Sequence, residues 1–99
     1  MTLSEQRQLQ RDRQERDVLV SEITEVTRNE ILASVGVYPL TKDIQVVEVN
    51  LVDNDEEVYG ISALNLKNVI NLLQRHGFEL TKVEPFDKGI TLKGERKAR

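Results

Sequence analysis

The chain has 99 residues, with 14 Lys and Arg against 17 Asp and Glu, which gives a formal net charge of −3. This length suits a single domain, and the absence of cysteine excludes a disulfide framework, thiolate zinc sites, iron–sulfur clusters and cysteine nucleophiles. The sequence contains neither a membrane-spanning apolar run nor the apolar core of a signal peptide, so we expect a soluble protein of the cytoplasm.

Residues 1–17 form a polar segment that favours a helix. Thr2 and Glu5 have the spacing of an N-terminal capping box, and the residues that follow are mostly good helix formers. Leu9 is the only apolar residue between Glu5 and Asp17, so this helix would have almost no apolar face with which to pack. We therefore predict a helical arm that is either frayed or completed by another chain.

Residues 18–36 are predicted to continue as helix, although their β-branched residues argue for strand. The apolar residues that recur at helical spacing are Leu19, Ile23, Val26 and Ala33. The pattern from Thr27 to Glu30 fits a second capping box, so a separate short helix is expected over 28–35. Gly36 suits the left-handed position that follows a helix.

Residues 44–63 are predicted to form a β-hairpin. Apolar and polar side chains alternate from Val47 to Leu51, which is typical of a strand with one buried face. The segment from Asp53 to Glu56 favours a turn, because Asp and Asn side chains hydrogen-bond to nearby backbone. The return strand is expected to contain Val58, Tyr59 and Ile61.

Residues 65–76 give the clearest helical pattern in the sequence. The side chains at the spacing of one buried stripe are Leu66, Val69, Ile70 and Leu73. Asn65 is a suitable N-cap, and Gly77 suits the left-handed position after the last turn.

Residues 79–94 are predicted to form a second hairpin, with its turn at 87–89. Pro85 requires an edge strand or a bulge, because proline has no N–H to donate to a sheet. The last five residues, 95–99, contain almost no apolar surface and are expected to form a loose basic tail.

Together these elements predict an α+β fold in which one or more N-terminal helices precede a β-β-α-β-β unit. The strands would form an antiparallel sheet, with one face covered by the helix over 65–76. The chain would therefore comprise a polar helical arm over 1–17, a single α+β domain over 18–94 and a basic tail over 95–99.

The charge is distributed unevenly along the chain. Residues 18–60 have two basic and nine acidic side chains, whereas residues 61–99 have eight basic and four acidic ones. One hypothesis is therefore a nucleic-acid accessory protein that uses the basic hairpin and tail. Its phosphate-binding residues would be Lys88, Lys93, Arg96, Lys97 and Arg99. The acidic net charge and the scarcity of aromatic residues argue against this hypothesis.

The acidic segment after the first predicted strand gives a further hypothesis, a small acidic inhibitor that binds a basic groove on a partner. Turn formation and solubility also explain this segment. It does not match a calcium loop, because position 6 counted from Asp53 is Val58 and position 12 is Leu64.

No pattern in the sequence indicates catalysis. His76 is the only histidine and suits the end of a helix, and the glycines form no nucleotide-binding motif. We expect no enzymatic activity, no cofactor, no metal and no small-molecule substrate.

The leading prediction is a protein–protein interaction module that self-associates, with the N-terminal helix as its docking element. Its partner would be another protein or a second copy of the chain, with nucleic acid as the alternative and no role for a membrane. The candidate partner-binding residues are Leu9, Arg13, Arg16, Asp53, Asp55, Glu56 and Glu57.

Overall fold

The structure is a computed structural model that describes residues 2–55 and 60–98. Its elements are α1 (Leu3–Val26), β1 (Ile31–Thr41), β2 (Ile44–Asp53), α2 (Ala63–Arg75), β3 (Glu79–Phe86) and β4 (Gly89–Lys97). The four strands form one antiparallel sheet in the order β1-β2-β4-β3. The predicted α+β fold and its β-β-α-β-β order are confirmed.

Helix α1 begins with the predicted capping box. The Glu5 backbone N–H donates to the Thr2 hydroxyl at 3.2 Å, and the Thr2 backbone N–H donates to the Glu5 carboxylate at 3.3 Å. The helix then runs without a break through 24 residues, which corresponds to a rod about 36 Å long. It ends at Thr27, whose buried hydroxyl donates to the Ile23 carbonyl at 2.7 Å.

The short helix predicted over 28–35 is wrong. Arg28 and Asn29 take left-handed backbone angles that end α1, and the chain enters β1 at Ile31. Segment 31–41 contains no Glu, Lys or Arg and several β-branched residues, a composition that suits a strand better than a helix. Gly36 accordingly lies within β1 rather than after a helix.

The first hairpin therefore joins β1 to β2, with its turn at Lys42 and Asp43, and not at Asp53 to Glu56 as predicted. Ile61 is not in a strand, and the remaining residues of the predicted return strand lie outside the described residues. Strand β1 therefore pairs with β2, whereas the sequence analysis predicted that the segment from Val58 to Ile61 would do so.

Helix α2 confirms the predicted helix over 65–76, with its start moved to Ala63. Ser62 is the N-cap instead of Asn65, and its hydroxyl accepts from the Asn65 backbone N–H at 3.2 Å. Gly77 has the predicted left-handed conformation, with φ of 89°. His76 caps the helix, and its ring lies 2.6 Å from the Glu22 carboxylate of α1.

The second hairpin is confirmed, and Pro85 lies on an edge strand as its missing N–H requires. The loose tail is wrong for residues 95–97, because β4 continues through Lys97 and pairs there with the beginning of β2. Ala98 continues this attachment by donating its backbone N–H to the Asp43 carbonyl at 2.9 Å.

The hydrophobic core lies between one face of the sheet and the two helices. Its buried side chains are Leu19, Ile23, Ile31, Val35, Val47, Val49, Leu51, Val69, Leu72, Leu73, Phe78 and Leu92. Leu19 and Ile23 belong to α1, and the leucines and valine of α2 complete the helical layer. Alternation along the strands turns the intervening side chains, such as Glu48, to the opposite face, which no helix covers in the described structure.

Candidate interaction surface

The two edges of the sheet differ in composition. Edge strand β3 carries Lys82, Glu84 and Pro85 and has a bulge, all of which discourage pairing with another strand. Edge strand β1 has 11 residues and no charged side chain, and no second strand lies beside its outer edge among residues 2–55 and 60–98. Strand β1 has its own proline, Pro39, and a register shift between Pro39 and Thr41, so the part of this edge that offers regular backbone donors and acceptors to a further strand is 31–38.

Most of the exposed large apolar side chains belong to α1 and β1. Within the described part of the chain, six of the nine exposed large apolar residues are on α1 or β1. They are Leu3, Leu9, Val18, Leu32, Tyr38 and Leu40. Helix α1 packs against β1, and we name these six side chains, which lie on more than one face of the two elements, together with the free edge of β1 the α1–β1 side.

A polar cluster attaches the amino-terminal half of α1 to the sheet. The buried Gln45 side chain donates to Asp12 at 3.0 Å and to Glu15 at 2.9 Å. Arg96 donates from Nε to Gln45 at 2.7 Å and from Nη2 to Glu15 at 2.6 Å. Three elements, α1, β2 and β4, therefore meet in one hydrogen-bonded network.

Arg96 is enclosed on its other sides as well. Its Nη1 donates to the His76 carbonyl at 2.6 Å, and its guanidinium carbon lies 4.2 Å from the centre of the Phe78 ring. The side chain is only 10% exposed. Three of its five N–H donors are bonded to protein and the side chain is enclosed, so Arg96 positions α1 and does not present its charge to an incoming phosphate.

A cleft of about 430 Å³ lies beside this network, bordered by Gln14, Val18 and His76 among others. Among the described residues, no buried side-chain nitrogen or oxygen lacks a hydrogen-bond partner, and no cluster of three or more His, Asp or Glu could hold a metal. The buried polar groups of the cleft are therefore all hydrogen-bonded within the protein.

The predicted partner-binding residues of the helical arm are all at the surface. Leu9, Arg13 and Arg16 are exposed on α1, and Arg16 forms an ion pair with Asp17 at 3.3 Å. Leu9 belongs to the α1–β1 side.

The predicted acidic residues lie at the other end of the sheet. Asp53 ends β2, and its carboxylate accepts from the Asp55 backbone N–H at 2.8 Å, which is local turn bonding. Gln45, beneath the arm, is eight residues away along β2, or about 27 Å. The structure therefore does not bring these acidic residues together with the arm, and Glu56 and Glu57 lie outside the described residues.

The predicted nucleic-acid residues are dispersed. Lys88 is in the turn between β3 and β4, Lys97 is at the far end of β4, and Arg99 lies outside the described residues. Lys93 on the open face is opposite Glu48, which lowers the positive potential there. Together with the enclosure of Arg96, this leaves no continuous basic stripe on the residues that the structure describes.

Lys82, which lies opposite Lys93 on the adjacent strand β3, is also paired with an acidic residue. It forms an ion pair with Glu84 at 2.7 Å, and the hydrogen bond and the charge of Glu84 raise the pKa of Lys82 above its ordinary value. The open face over β3 and β4 is therefore a mixed-charge surface.

Sequence reasoning missed the two features that define this surface. The free edge of β1 was missed because 28–35 was predicted to be a helix. The absence of charged residues from Ile31 to Thr41 could have indicated a strand instead. The network around Gln45 was hidden because a polar residue between Ile44 and Val46 looks like an ordinary outward position.

No helix formed by residues 2–55 and 60–98 combines the length and the apolar character needed to cross a bilayer. The chain matches no protein-family model, and comparisons with curated proteins and with solved structures gave no match. The geometry and composition of the surfaces described above are therefore what indicates a function.

Proposed function

We propose that this protein is a small, non-catalytic interaction module that self-associates through its α1–β1 side. The single observation that carries the proposal is the presence of exposed apolar side chains on an unpaired strand edge that has no charge, while the opposite edge carries charged side chains. An open strand edge can pair with another chain, and exposed apolar patches mark sites of protein–protein contact.

The amino-terminal turns of α1 contribute a rigid extension to this surface. Asp12 is the first buried residue of the helix, and the nine residues from Leu3 to Arg11 precede it over about 13 Å. The network that joins Glu15 to Arg96 fixes the direction of this extension. A preordered helix loses less conformational entropy on binding than a flexible tail would, which favours association.

The proposal is tested by measuring mass in solution with multi-angle light scattering from micromolar to millimolar concentrations. We expect a mass above that of one chain, increasing with concentration. Leu40→Gln should weaken association about tenfold or more, because burial of one leucine contributes about 1.5–3 kcal/mol. Leu9→Gln should weaken it in the same direction.

A matched control is Leu64→Gln. Leu64 is 68% exposed but lies at the start of α2, away from the α1–β1 side. This variant should associate like the wild type. The mass of a single chain at every concentration would refute self-association, and equal effects of Leu40→Gln and Leu64→Gln would refute the choice of surface.

A further inference from the structure

The cleft beside the polar network is bordered on one side by a single face of α1. Arg11, Gln14 and Val18 line it at the i, i+3 and i+7 positions of the helix, so they lie along one face over about 10 Å. Phe78 and Ala98 border the same cleft from other parts of the chain. Its volume of about 430 Å³ falls within the range of about 300–1,000 Å³ that is usual for small-molecule pockets.

The walls of the cleft are held in place by the protein itself. Glu15 on the α1 wall accepts from Arg96 at 2.6 Å and from Gln45 at 2.9 Å. Ala98 is fixed by the bond from its backbone N–H to the Asp43 carbonyl at 2.9 Å. A pre-formed cleft loses little conformational entropy when a ligand enters, which favours binding.

Two polar side chains on the α1 wall have no partner within the protein. Arg11 and Gln14 are exposed, and neither side chain forms an ion pair or a hydrogen bond within residues 2–55 and 60–98. Glu15 is the only carboxylate among the described residues that line the cleft, and it is bonded to Arg96. Arg11 therefore offers the cleft a positive charge that no acidic side chain there neutralises.

An apolar surface lies on the same wall as this charge. Val18 is 47% exposed, and of the six side chains of the α1–β1 side it is the only one that lines the cleft. The next residue, Leu19, borders the cleft as well. A ligand that covers Val18 removes apolar surface from water, which contributes to binding.

We propose that the cleft binds a small organic anion in which one carboxylate is attached to an apolar ring or chain. The carboxylate accepts from the Arg11 guanidinium and the Gln14 amide, and the apolar part covers Val18. One carboxylate matches the single unpaired arginine, since a second anionic group would enter the cleft without a cation. An inorganic phosphate would leave Val18 uncovered. The inference goes beyond the proposed self-association and does not depend on it.

The test uses two probes that share a fused aromatic ring, 2-naphthoate and the neutral 2-naphthylmethanol. Each is titrated into the full chain at one fixed protein concentration and followed by amide NMR spectra. We expect saturable binding of naphthoate, with the largest shift changes near Gln14, Val18 and Ala98. Naphthoate should bind at least about fivefold more tightly than the alcohol, because hydrogen bonds between charged groups are stronger than neutral ones.

Substitutions on α1 separate the charged contact from the apolar one. Arg11→Gln should weaken naphthoate binding at least about fivefold and leave binding of the alcohol unchanged. Val18→Gln should weaken binding of both probes. Arg13→Gln is the matched control, because Arg13 is an exposed arginine two positions further along the helix and therefore faces another side. It should bind naphthoate like the wild type.

The outcomes separate this inference from the proposed function. Equal effects of Arg11→Gln and Arg13→Gln, equal affinity for the two probes, or no saturable binding would overturn the ligand site. Leu40→Gln, which is expected to weaken self-association, should leave naphthoate binding unchanged, and loss of binding in that variant would overturn the assignment to the cleft. A single-chain mass with intact naphthoate binding would refute self-association alone.

Discussion

Replacement of Arg96 by Met is the sharpest test of how α1 is held on the sheet. Met keeps much of the aliphatic volume of the side chain but removes the hydrogen bonds to Glu15, Gln45 and the His76 carbonyl. It also removes the cation above the Phe78 ring. A loose tail at 95–99 would tolerate this change, whereas the observed network would not.

The expected loss of stability follows from the burial of the two charged partners. Removal of one member of a fully buried ion pair costs about 3–5 kcal/mol. Arg96 is 10% exposed, but Glu15 is 36% exposed, so water solvates its carboxylate in the variant and reduces the penalty. We therefore expect the free energy of unfolding to fall by about 2–4 kcal/mol. The thermal midpoint should fall by about 10–30 °C in a domain of this size.

The measurement is urea unfolding followed by circular dichroism, at one fixed protein concentration because self-association would contribute to stability. Lys97→Met is the matched control, since Lys97 is the next residue of β4 and is exposed. It should change the free energy of unfolding by no more than about 0.5 kcal/mol. A similarly small loss for Arg96→Met would refute the role of the network in holding α1.

Substitutions at Gly89 and Gly77 test the backbone of the second half of the chain, with Gly36→Ala as a control and urea unfolding as the measurement. A Cβ at Gly89 would collide with the Leu51 carbonyl oxygen across the strand pair, so Gly89→Ala should cost at least about 1–3 kcal/mol, whereas Gly36→Ala has open space and should be nearly neutral. Gly77 has φ of 89°, so Gly77→Ala should cost about 1–2 kcal/mol and Gly77→Asn less, because Asn tolerates left-handed angles. Wild-type stability of Gly89→Ala would contradict the close approach of β2 and β4, and equal effects of Ala and Asn at Gly77 would contradict the conformational explanation.

Local signals predicted the elements whose stability depends on nearby residues. The capping box depends on Thr2 and Glu5 alone, and its hydrogen bonds formed as expected. The end of α2 is likewise determined by a nearby residue, because Gly77 takes the left-handed conformation that closes the last turn.

The segments that sequence reasoning assigned wrongly are those decided by distant partners. Segment 31–41 becomes a strand because β2 supplies its hydrogen bonds and α1 covers its inner face, and neither effect is visible in a local window. Residues 95–97 look like a tail, but their structure comes from pairing with residues near Ile44, more than fifty positions earlier.

The candidate site was predicted only in part. Leu9 is exposed on α1 as its isolation among polar residues indicated. The sequence could not show that β1 has a free edge, because the strand that lies at an edge is set by the order of strands in the sheet. Arg96 looked like a surface cation, since sequence alone does not reveal that Glu15 approaches it from a residue 81 positions away.

The ion pair between Glu15 and Arg96 also constrains how the protein matures at the ribosome. At a translation rate of about 5–20 residues per second, roughly 4–16 s separate the synthesis of its two members. During that interval α1 lacks its anchor, and β2 has no β4 on its second side, which leaves Val47 and Val49 without their final cover. The chain can therefore complete its native packing only after Arg96 has been synthesised.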